Sequence, residues 1–121
     1  MKPIVIYSDK ILDNISFLFN VTGIAIFPFV ILRERYKHDP QYQYARVILL
    51  NHERIHFYQQ IEMLVIPYYI MYVIEYLIRY IMYGDSYQAY KNISFEREAF
   101  ENEQDLDYVE YRNLYSWIDY I

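Results

Sequence analysis

Asp39-Pro40 is the most restrictive feature of this chain, because it dictates where one long helix begins. An aspartate caps the first free amides, and a proline at the first helical position has its φ preset and no N–H to satisfy. From that start, Ala45, Ile48, Leu49, His52, His56, Gln59 and Met63 recur at helical spacing along one face. Pro67 ends this helix or marks the start of the next. The chain has only 3 histidines, and two of them lie on this face.

Those two belong to His52-Glu53-Arg54-Ile55-His56, an H-E-x-x-H motif. Residues i and i+4 differ by about 40° around a helix, so both imidazoles point the same way and can share one zinc ion. Glu53 is turned about 100° from His52. There it can take a proton from a zinc-bound water and return it to a leaving amine. Chance alone would place about 0.005 such motifs in a chain of this composition. The bland alternative is a pair of histidines satisfied in a core or on a surface.

Cysteine is absent, which excludes a disulfide scaffold, a cysteine-zinc cluster and a thiol nucleophile. A catalytic zinc needs a third protein ligand, and His38 precedes the motif. That ligand is expected to be a carboxylate on a later helix. Glu62 is too close on the same helix, and Glu75 has Arg79 as an i, i+4 partner. Phe95-Glu96-Arg97-Glu98-Ala99-Phe100 is the best candidate segment.

The H-E-x-x-H motif followed by an E-x-E-A helix resembles the gluzincin metallopeptidases, especially the small minigluzincins. The runs 51–60 and 92–103 also look like small bacterial zincin-like proteins. The resemblance implies a zincin-like fold in which His52, His56 and Glu96 bind zinc and Glu53 is the general base. It implies a zinc-dependent peptidase acting on a peptide or protein substrate. In related families the downstream helix often reads E-x-x-A-D, and Phe100 stands where that Asp would orient a ligand histidine. Losing such a partner weakens metal binding or activity by about 10–100-fold. Glu101 and Glu103 are nearby substitutes, Glu103 a full turn further along. Glu98 is nearly opposite Glu96 on a helical wheel and is not expected at the same metal. Tyr108, Tyr111 and Arg112 are downstream candidates for an oxyanion donor.

Two other classes compete. Glu53 to His56 also fits the E-x-x-H element of di-iron carboxylate bundles, but those need a second such element and this chain has none. The other is a non-catalytic metal-binding or membrane-associated interaction protein built on the same motif.

The 121 residues allow one domain, 1–121, and the 55% hydrophobic content excludes a disordered linker. Residues 1–60 carry seven Lys/Arg against five Asp/Glu, and residues 61–121 carry four against eleven. That acidic half argues against nucleic acid as a partner. Ser8-Asp9-Lys10 interrupts any N-terminal apolar signal region. Met63 to Tyr83 is long and apolar, but Glu75 and Arg79 fall inside it, which favours a buried helix of a soluble domain over a spanning or membrane-lying one. A cytoplasmic location is therefore expected, with membrane association as the alternative.

The remaining pattern predicts a helix over 10–19, a buried or edge strand over 24–32, and a charged loop over 33–38. A second helix runs to about Tyr83, stopped by Gly84-Asp85. A third is capped from Asn92-Ile93-Ser94, and more helix follows Asp105. The expected class is mainly α (α+β), with a small β element beside an active-site helix and a Glu-bearing helix.

Overall fold

The computed structural model describes residues 1–15 and 21–121. Among these residues the chain is mainly helical, with seven α-helices and one three-stranded sheet. The expected mainly α (α+β) class is the observed one.

The strands are β1 (Ile4–Tyr7), β2 (Gly23–Ile26) and β3 (Phe29–Leu32), in the order β1-β3-β2. β1 runs parallel to β3 and β2 antiparallel to it. Residues 24–32 are therefore not one strand. They fold back at the cis Phe27–Pro28 peptide, where proline offers no N–H to continue a ladder. Parallel pairing needs a crossover, and α1 (Asp9–Ile15) lies within it, with Leu12 buried. Of the helix predicted over 10–19, residues 16–19 lie outside the described residues. Val30 and Leu32 are fully buried and pack with Ala25 and Tyr36. Tyr36 comes from α2 (Arg35–His38), a short helix where a loop was expected.

Asp39 caps as predicted, but the element it opens is a short 3-10 turn and not the long helix itself, which starts at Gln43. The Asp39 side chain accepts a hydrogen bond from the Gln41 amide at 3.2 Å, opening a 3-10 turn over Pro40–Tyr42 that leads into α3 (Gln43–Glu62). α4 (Ile66–Tyr83) follows at 114° to it. The bend is a γ-turn: the Ile66 amide donates to the Leu64 carbonyl at 2.8 Å, and Val65 has φ 68 and ψ −70. α4 ends at Gly84, whose φ of 66 suits a residue without a Cβ. The chain continues through α5 (Ser86–Lys91), α6 (Ser94–Asn102), α7 (Tyr108–Tyr111) and a 3-10 turn over Ser116–Tyr120.

Two expectations about α4 are corrected. Glu75 does not take Arg79 as its partner; it accepts hydrogen bonds from the Ser94 amide and hydroxyl at the start of α6. That contact serves the helix start that no side-chain cap of α6 supplies. Nor is α4 a buried helix. Only Tyr68 is buried, because Tyr68, Tyr69, Tyr72 and Tyr76 face the body of the protein and aliphatic side chains face outward. Among the described residues no single helix is long and apolar enough to cross a membrane, although α3 and α4 together pass by length and composition.

Candidate metal centre

α3 presents His52 and His56 on one side, as the i, i+4 spacing requires. α6 packs against α3 with Ala99 beside Ile55, both fully buried. This places Glu96, in the first turn of α6, opposite the two imidazoles. The three ligand atoms form a small triangle. His52 Nε2 lies 3.2 Å from His56 Nε2, and Glu96 Oε1 lies 3.1 Å and 2.9 Å from them. All three residues are buried, and together they could hold a metal ion.

The geometry can be tested against a metal. Bonds of 2.0–2.1 Å in a tetrahedral site put neighbouring ligand atoms about 3.3 Å apart. The observed edges fall just inside that value. Two protonated imidazoles this close repel each other, whereas one cation satisfies both nitrogens and the carboxylate. Two N donors and one carboxylate O also form a donor set that zinc accepts.

The far nitrogens are held as ligands require. His52 Nδ1 is 2.9 Å from Glu103 Oε2, and His56 Nδ1 is 2.8 Å from Gln59 Oε1. A proton on each Nδ1 leaves each Nε2 lone pair facing the triangle. The orientation of Gln59 follows from its other contacts, since its amide nitrogen donates to Phe95 O at 3.1 Å and Glu98 Oε1 at 2.9 Å. Tyr72 donates to Glu96 Oε2 at 2.7 Å, which leaves Oε1 for the metal. The Tyr68 hydroxyl, from α4, lies 3.4 Å from His56 Nδ1.

Electrostatics follow from burial and proximity. Burial alone would lower His52, but hydrogen bonds to Glu103 and Glu96 outweigh it and raise it to about 10. Burial would raise Glu96, yet the two histidines hold it well below the usual carboxylate range. Glu53 is buried within reach of both histidines, and burial pushes its carboxyl upward against their opposing pull.

The structure brings His52, His56 and Glu96 together with Glu53 beside them. Glu98 points away, into a buried network with Gln59, Tyr108 and Arg112. Arg112 also reaches Glu62 at 3.0 Å. Tyr108 and Arg112 are engaged by Glu98, and Tyr111 donates to Asp105. Phe100 packs its ring on His52 with centroids 4.6 Å apart, and Glu103 is the carboxylate that meets His52 Nδ1. Sequence reasoning missed Gln59, Tyr68 and Tyr72 as supports. Gln59 was the findable one, because it shares the inward face one turn after His56.

No family model, no curated protein and no solved structure matches the chain. The gluzincin resemblance thus stands on its motifs and on the buried His-His-Glu cluster they form.

Proposed function

We propose that the protein is a zinc-dependent peptidase of gluzincin type. The observation that supports this most is the triangle of His52 Nε2, His56 Nε2 and Glu96 Oε1, with edges of 2.9–3.2 Å. His52, His56 and Glu96 would hold the zinc, leaving its fourth position to water or substrate. Zinc there supplies Lewis acidity and makes a water acidic enough to attack near neutral pH.

Glu53 is the base. Its burial raises its proton affinity, which brings it toward the range useful for accepting a proton and passing it on. It takes the proton as the nucleophile attacks the peptide carbonyl, then delivers it to the departing amine. Glu103 and Gln59 fix the tautomer and orientation of the two histidines. Tyr72 keeps Glu96 turned inward.

The test is Glu53→Gln. An amide cannot take up the proton, and position 53 is not a ligand. The variant is therefore expected to keep zinc near wild-type content and to lose about 10²–10⁴-fold in hydrolysis of a peptide-library substrate. Retained, chelator-sensitive hydrolysis in Glu53→Gln would refute the mechanism. Zinc binding without cleavage of any peptide by wild type would favour the non-catalytic metal protein.

A further inference from the structure

The outer face of α4 has no role in the centre and is built unlike an ordinary surface helix. At 100° per residue, Val73, Leu77, Ile70, Ile81, Ile78 and Met82 follow one another around about half the circumference. Every one of them is more than half exposed, Ile81 reaching 84%. No ionisable side chain lies in this arc. Glu75 and Arg79, the charged residues of α4, lie outside the arc but beside its Met82 edge: Glu75 is held by Ser94, and the Arg79 guanidinium donates to Met82 Sδ at 3.7 Å. Tyr80 borders the arc beside Val73, Tyr83 lies further round on the same side, and both are exposed.

We propose that this face seats the protein on an uncharged lipid surface, with α4 lying along the membrane. Width and charge decide between lipid and a second copy of the chain. A helix packed on one partner covers an arc of roughly 100°, so a dimer seam would leave much of this half-cylinder in water. A second copy would also bring a net charge of −5 against −5. The same negative charge and the neutrality of the face disfavour anionic lipid and match a zwitterionic one.

Length gives the orientation. The 18 residues of α4 span about 27 Å, short of the roughly 20 residues that a hydrocarbon core requires. A helix of this kind buries its apolar face about 5–10 Å into the headgroup and acyl boundary. Tyr80 and Tyr83 then occupy the interfacial level that tyrosine favours. The inner face of α4 carries Tyr72 to Glu96. Seating therefore holds the metal cluster about one helix diameter, roughly 10 Å, from the lipid.

Flotation of the full chain with phosphatidylcholine vesicles tests the proposal, at low and at high salt. Wild type is expected to float with the vesicles equally at both. Ile70→Glu with Leu77→Glu should lower the bound fraction at least tenfold with helicity by circular dichroism unchanged. Tyr44→Glu, on α3 at a position 78% exposed, should float like wild type. Ile81→Glu repeats the test if the double variant loses helicity. Wild type left in the aqueous fraction would overturn the proposal. So would binding confined to anionic vesicles and lost in salt, or flotation unchanged in the α4 variants. A solution dimer that ignores vesicles and separates in the α4 variants would assign the face to a second copy.

Discussion

At position 100, where the gluzincin pattern that this chain resembles would place a carboxylate to orient the histidine, the chain has Phe100. Here the aromatic edge packs on His52, and Glu103 supplies the acceptor from the end of α6 at 2.9 Å. Glu103→Ala is therefore expected to weaken zinc binding about 10–100-fold, measured by competition with a chelator. Glu101→Ala, on an exposed side chain, should leave it unchanged. Glu98 offers a different contrast. It is fully buried and carries the Arg112 guanidinium, so Glu98→Ala should lose about 3 kcal/mol of stability in denaturant unfolding.

The proton on His52 makes a pH prediction. Burial opposes that proton, but Glu103 and Glu96 together hold it up to about pH 10 in the absence of a cation. A metal has to displace it from Nε2, so affinity must rise with pH below that value. Competition titrations should show zinc bound more tightly at about pH 8 than at about pH 6. An affinity independent of pH would mean that the cluster is not the binding site.

Among the elements, the bend between α3 and α4 carries the strain. Leu64 and Val65 both have positive φ, and Val65 is β-branched at the centre of a γ-turn. Such a residue costs on the order of 1–3 kcal/mol. The 114° bend it permits lays α4 across the histidines, so that Tyr68 and Tyr72 reach the cluster. Val65→Gly should therefore raise the melting temperature or leave it unchanged, although glycine adds unfolded-state entropy. A marked loss would show that Val65 contributes more through packing than it costs in strain.

The legible elements were those with local signals. The Asp39-Pro40 start, the motif spacing and the Gly84 stop each depend on residues a few positions apart. The hairpin was missed because the hydrophobic run on both sides of Pro28 reads as continuous. α4 was misjudged because its composition is apolar while its inward face is aromatic and polar. Nothing in its spacing says which face meets the protein.

For the whole molecule, the candidate centre was legible as far as helical geometry reached. His52 and His56 come from one helix, and Glu96 was reached through resemblance. Of the supports, Glu103 was open to sequence reasoning only as one of two substitutes and Gln59 only by its face. Tyr68 and Tyr72 were not legible, because packing brings such partners together across long separations. Glu103 stands 51 residues from His52, and Tyr72 stands 24 residues from Glu96. The order β1-β3-β2 likewise depends on a crossover that no short window contains.

The proposed function requires one metal between α3 and α6. Crystals of the full chain grown with zinc, measured on both sides of the zinc absorption edge, test this most directly. The expected map has one anomalous peak about 2.0–2.2 Å from His52 Nε2, His56 Nε2 and a Glu96 oxygen. A structure with zinc present and no peak at this triangle, or with its only peak at other residues, would contradict it.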